Sequence, residues 1–216
     1  GFIIYYNKIF LVFLNKCFSK FINMYRNLIN LILLTSIVFA SGAFDHGTAA
    51  GKGKWCLSLT VNPFNYFKNG QSYAVLGYGF TEKADITAYY SSMHSGTKNF
   101  YAGISYQFYH SKWLDLSTGV GIRKYTKNNN IHLFIPQLLY TFHFNEKLKL
   151  GGSIISIKNS ADYKNLGQTT DIFFIANLIN YKKYNIDFTL GMFKPTLWKP
   201  QNSNWHPTYS IDINFK

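Results

Sequence analysis

A two-residue rhythm recurs along this chain from Leu57 to Phe215 and limits what it can become. Alternation of apolar and polar residues places successive side chains on opposite faces of an extended strand. Leu57, Leu59 and Val61 alternate with Ser58, Thr60 and Asn62, and Ala74, Leu76, Tyr78 and Phe80 with Val75, Gly77 and Gly79. Ala84, Ile86, Ala88 and Tyr90 follow, then Phe100, Ala102, Ile104, Tyr106 and Phe108, which alternate with Tyr101, Gly103, Ser105 and Gln107. Leu114, Leu116, Thr118, Val120 and Ile122 face away from Asp115, Ser117, Gly119, Gly121 and Arg123. Residues 131–144 set Phe134, Leu138, Tyr140, Phe142 and Phe144 on one face, and Leu148, Leu150 and Ile154 come next. Residues 169–180 are almost wholly apolar, and placing Ile172, Phe174, Ala176 and Leu178 together turns Asp171 and Asn177 the other way. Ile186, Phe188, Leu190 and Met192, then Tyr209, Ile211, Ile213 and Phe215, complete the series.

These segments make ten strands, and their connections alternate in length. Thr81-Glu82-Lys83, His110-Ser111-Lys112, Asn145-Glu146-Lys147 and Tyr181-Lys182-Lys183 are short; roughly 64–72, 93–98, 124–130, 158–167 and 195–207 are longer. An even count with short turns at one end and longer loops at the other predicts a closed, antiparallel, up-and-down all-β barrel. Eight strands is the alternative, with the first strand or the strand containing Pro136 lost. Pro136 cannot donate to a ladder, so a bulge or break is expected at 135–137.

Composition decides which face is outside. Aromatic residues make up 19% of the chain and charged residues only 14%, yet mean hydropathy is −0.07. The aromatic content excludes disorder. Two cysteines exclude a disulfide scaffold, and apolar runs of about 20 residues are too scarce for a helical multi-span protein. The polar face is built of Gly, Ser, Thr and Asn with scattered charges, which fits a narrow lumen. The other face is large and aromatic, which fits lipid, so a transmembrane β-barrel is expected. Phe80, Tyr90, Phe108, Tyr140, Phe144 and Phe215 stand near strand ends, where interfacial belts form.

The first part of the chain reads differently. Residues 24–43 run from a basic start at Arg26 through the apolar Leu28–Phe39 to small residues at Ala40, Ser41, Gly42 and Ala43, the layout of a secretory signal helix. Residues 1–23 are read as an upstream or mis-assigned segment, 44–54 as a periplasmic N-terminal segment and 55–216 as the barrel. Cleavage removes Cys17 and leaves Cys56 alone.

The tail Tyr209-Ser210-Ile211-Asp212-Ile213-Asn214-Phe215 resembles the C-terminal strand signal of bacterial outer-membrane barrel proteins, although Lys216 follows the aromatic. Gly77-Tyr78-Gly79-Phe80-Thr81-Glu82-Lys83-Ala84-Asp85-Ile86 resembles a strand-turn-strand of the same class. The resemblance implies insertion by the barrel assembly machinery and residence in the outer membrane of a Gram-negative bacterium.

The formal net charge is +13. Its lysines are spread over turns and loops instead of one face, which together with an export signal argues against nucleic acid and for anionic lipid or lipopolysaccharide phosphate. Lys124, Lys127, Lys158, Lys164, Lys194 and Lys199 lie in or beside long loops, and Trp198 and Trp205 add amphipathic anchors. These outer-loop residues, Lys124, Lys127, Trp198 and Trp205 foremost, are the expected lipid or partner contacts. The inward charges are Asp85, Asp115, Arg123, Lys149, Asp171, Asp187 and Asp212. Among them Asp115, Arg123, Asp187 and Asp212 are expected to pair across the interior as a polar network that fills it. No metal-ligand cluster, phosphate loop or nucleophile elbow is evident, so no catalytic residue, metal or cofactor is assigned. His94-Ser95, His110-Ser111, His132, His143 and His206 read as solvated polar groups. The expected function is that of a monomeric, non-enzymatic outer-membrane barrel with at most a narrow, porin-like path. A lipid A-modifying enzyme and a secreted soluble barrel carrier are the alternatives.

Overall fold

A computed structural model describes residues 46–62, 71–93, 96, 98–126, 130–195 and 205–216. The signal segment 24–43, Lys127, Trp198, Lys199 and His94-Ser95 lie outside the described residues. Ten strands follow one another: β1 (Trp55–Asn62), β2 (Gln71–Gly79), β3 (Ala84–Met93), β4 (Lys98–His110), β5 (Leu114–Tyr125), β6 (Ile131–His143), β7 (Leu148–Asn159), β8 (Asn165–Asn180), β9 (Tyr184–Pro195) and β10 (His206–Phe215). Each pairs antiparallel with its sequence neighbours, and β1 pairs with β10 from Cys56↔Asn214 to Val61↔Tyr209, so the sheet closes. The eight-stranded alternative is thereby excluded. No helix occurs among the described residues.

Three of the four short turns are made by a side chain. Thr81 Oγ1 accepts from the N–H groups of Lys83 and Ala84, Ser111 Oγ from Trp113 and Leu114, and Asn145 Oδ1 from Lys147 and Leu148. A short polar side chain that accepts from its own following backbone fixes a tight reversal. These turns define one end of the barrel, the turn end, which also holds the start of β1 and the end of β10. The longer connections define the loop end.

The barrel is apolar outside and polar inside. Leu59, Phe100, Ile104, Ile122, Phe174 and Leu190 are exposed on the outer wall, while Ser58, Asn99, Asp115, Thr141, Ser153, Thr189 and Ser210 are fully buried. Burying polar atoms is tolerable only when they are hydrogen-bonded, and many of these bond to one another. One sector departs from this rule. On β6–β8 the inward positions Phe134, Leu139, Ile155, Ile157, Phe173 and Ile175 are apolar and fill part of the lumen.

Phe134 corrects the sequence reading, which set it on the outer face with Leu138. Gly119 pairs with Gln137 and Gly121 with Phe134, so Val120 alone stands opposite both Ile135 and Pro136. That bulge leaves Ile135 and Pro136 facing out in succession and turns Phe134 inward, where it is buried. One extra residue reverses the face of everything before it. Opposite Phe134, the ring of Tyr101 lies across Gly103 and Gly121, and a Cβ at either glycine would strike it.

Candidate functional site in the lumen

The two ends of the lumen carry different chemistry, because β5 holds Asp115 near its first residue and Arg123 near its last. Eight residues of strand separate them by about 26 Å.

At the turn end Asp115 is fully buried and collects three partners. Its Oδ1 lies 2.6 Å from His110 Nδ1, its Oδ2 lies 2.7 Å from His143 Nε2, and Thr48 Oγ1 donates to Oδ2 at 2.7 Å. The two histidines come from adjacent turns, so the strand order delivers them to one carboxylate. Both rings thus engage a buried acid, whereas the sequence reading left them solvated; among the described residues no hydroxyl is hydrogen-bonded to either.

Asp187 and Asp212 face each other on β9 and β10. Each is served by neutral donors. Ser58 Oγ donates to Asp212 Oδ1 at 2.5 Å, and Ser210 and Thr189 hydroxyls donate to Oδ2 at 2.8 and 2.9 Å. Asn177 Nδ2 and Asn214 Nδ2 donate to the two oxygens of Asp187 at 2.6 and 2.9 Å.

The segment His46–Lys54 enters this end as a strap. Gly47 N–H donates to Thr141 Oγ1, Ser117 Oγ to the Gly47 carbonyl, Ala49 N–H to Gln107 Oε1 and Ala50 N–H to Asp85 Oδ2, at 2.6 to 3.1 Å. Gly53 N–H then reaches the Gly79 carbonyl at 2.7 Å, and Gly79 N–H the Lys54 carbonyl. Gly51 and Gly79 touch so closely that a Cβ on Gly79 would overlap the Gly51 carbonyl. His46 is neutral here: its Nδ1 accepts from Thr48 N–H, and burial together with nearby Lys149 pushes its pKa down to about 3. Beside the strap is a cavity of about 340 Å³, lined by Cys56, Asp85, Lys149, Asp187 and Asn214 among others.

At the loop end Arg123 is buried among aromatic rings. Its guanidinium lies 4.9 Å from the Tyr125 ring centre and 4.5 Å from that of Phe134, and Nη1 donates to Tyr89 Oη at 3.4 Å. Tyr89 stacks on Tyr101 at 4.7 Å and meets Tyr73 edge-on at 5.2 Å. Among the described residues no carboxylate lies within ion-pair distance of Arg123; Asp115 instead meets the imidazoles of His110 and His143. Period-2 reading fixes which way a side chain faces and leaves its height along the barrel unassigned.

Of the expected loop contacts, Lys124 is exposed on the outer wall at the loop end and Trp205 is exposed just before β10. Sequence reasoning missed the strap and the tyrosine cage. Tyr89 and Tyr101 fall on inward positions in their strands, and the run Gly47-Thr48-Ala49-Ala50-Gly51 is small enough to enter a lumen, but neither signal carries a partner with it.

No family model matches this chain, and no curated protein matches it. Among solved structures, a chain titled "Bacterial polysaccharide outer membrane secretin" is similar at a TM-score of 0.35 and 12% identity, over 76% of this chain. The match spans 65% of that chain, under two thirds of its length. A likeness at that level says nothing of what this chain does.

Proposed function

We propose that this protein is an integral barrel of a bacterial outer membrane, non-enzymatic, whose lumen is closed by its own residues and whose loops meet the outer surface. The observation that carries the reading is the inverted distribution of polarity. A ten-stranded wall presents Leu59, Phe100, Ile122, Phe174 and Leu190 outward and keeps its carboxylates and hydroxyls within. In water such an exterior drives aggregation; against hydrocarbon it is the stable arrangement, and closure leaves no backbone ladder unpaired. Aromatics support both interfaces: Trp55, Phe80, Trp113 and Tyr181 are exposed around the turn end, and Tyr90, Phe100, Tyr163 and Trp205 around the loop end.

On this reading residues 24–43 export the chain, the β10 tail is recognised by the assembly machinery, and the turn end faces the periplasm. Lys124, Lys158, Lys164 and Lys194 then sit near lipopolysaccharide phosphates, and Trp205 is exposed near them; Lys127 and Trp198 lie outside the described residues. The barrel functions as a monomer.

The test is fractionation followed by electrophoresis. The protein is expected in detergent-dependent extracts of outer membranes, with migration that shifts on heating. Recovery in the soluble secreted fraction would favour a carrier, and altered lipid A mass in cells making the protein would favour an enzyme. Leu190→Arg should destabilise the barrel by about 2–4 kcal/mol in bilayers, while Thr189→Ser on the inner face should do far less. Equal losses would mean the faces are wrongly assigned.

A further inference from the structure

We propose that the loop end of the lumen binds a small soluble anion, bearing a carboxylate or phosphate group, on the guanidinium of Arg123. The site requires only the closed barrel and its loop end, and goes beyond the membrane reading above.

The first observation is a charge with no counter-charge. Arg123 is 8% exposed, and among the described residues no carboxylate pairs with it. Lone buried cations are costly, so interiors normally supply an acid. Here the lumen acids Asp85, Asp115, Asp187 and Asp212 sit towards the other end, each with its own neutral or histidine partners, and Asp171, nearer the middle of β8, accepts from Ser153.

The second is a set of idle donors. A guanidinium offers five N–H groups in a planar fork. Arg123 donates to two phenols, Tyr89 at a long 3.4 Å and Tyr125, and its buried Nε has no hydrogen-bond partner. Tyr125 and Phe134 occupy the face of the fork. Ring contacts satisfy the charge but not the N–H groups, which point outward in the plane. A carboxylate or phosphate is the group whose two oxygens match that edge.

The third is a neighbouring cavity. His132 is the direct register partner of Arg123 and lines a cavity of about 460 Å³ with Asn130, Asn159, Asp162, Lys164 and Asn165. This cavity has amide and ammonium donors for the rest of a polar solute. Its one acid, Asp162, already accepts from the Lys164 N–H. The guanidinium is inside the wall, out of reach of a lipid headgroup outside it, so a soluble anion is the occupant.

The test uses the full chain refolded in zwitterionic detergent. Calorimetric titration with citrate, and separately with inorganic phosphate, at low ionic strength should give saturable heat that chloride weakens. Arg123→Met should weaken binding about tenfold or more, with far-UV circular dichroism and heat-shifted migration unchanged. Arg123→Lys keeps the charge without the fork and should bind between the two; it carries the test if the Met variant does not fold. Citrate should also raise the melting temperature of the wild type alone. No saturable heat with either probe, or equal binding by wild type and Arg123→Met, would overturn the proposal. So would an Arg123-dependent signal with phosphatidylglycerol vesicles and none with the soluble anions.

Discussion

The two ends of one lumen solve the burial of charge in opposite ways. At the turn end, Asp115, Asp187 and Asp212 are surrounded by hydroxyls, amides, imidazoles and the backbone of a strap. At the loop end a single Arg123 is wrapped in aromatic rings, and its buried Nε–H has no partner. The first arrangement is densely hydrogen-bonded, although Asp85 Oδ1 and Asn185 Oδ1 there are buried without a partner. The second leaves a buried cation without a counter-charge among the described residues, which is the difference between the two ends.

Substitution separates them most sharply at Asp115. Asp115→Ala strands Thr48 and two histidines at once, and should lower unfolding free energy by about 3–5 kcal/mol in a urea titration of the refolded barrel. A loss under about 1 kcal/mol would show that the turn end is not the densely bonded partner of the pair. Gly121→Val should cost about 1–3 kcal/mol by forcing Tyr101 off the β5 wall, which near-ultraviolet circular dichroism would register as a changed tyrosine environment. Arg123→Met removes an uncompensated charge and should leave stability within about 1 kcal/mol of wild type or raise it. A drop as large as that of Asp115→Ala would make the two ends alike.

The smallest effect is local and depends on pH. His46 has its pKa lowered on burial from 6.5 to about 3, so the released strap binds the proton and the docked strap does not. The contribution of His46 to docking is therefore fully present above pH 6.5 and is lost as pH falls from 6.5 towards 3. Lys149 and His143 oppose protonation and Asp115 favours it. Amide exchange at Gly47 and Ala49 should accelerate over that window while the strand amides stay protected. Exchange that slows in acid would reverse the assignment.

How much of this was legible depended on whether a residue's neighbours lie in its own strand. Each strand carries its own alternation, so Leu190 and Thr189, or Ile122 and Arg123, could be assigned to faces without any partner. Phe134 could not, because its direction is set by how Gly119 and Gly121 on β5 skip Ile135 and Pro136. Asp115 and Arg123 are both buried, yet pairing them requires equal depth, which one strand's rhythm does not encode. The strap was the least legible element: residues 46–54 have no alternation, and they hold their place by bonds to side chains 35 to 94 positions away.

Those bonds follow an order that bears on how the wall is built. Ala50 reaches β3, Ala49 reaches β4, Thr48 reaches β5 and Gly47 reaches β6, one residue for each successive strand. The strap is thus an inner hoop running across the staves. A stave that slipped by a single residue would turn its inward side chain to the outside and lose its point on the hoop. In a closed cylinder, where the stagger between strands sets the diameter and tilt, such a hoop proofreads four strands at once, and it ties the calibre of the turn end to nine residues that belong to no strand at all.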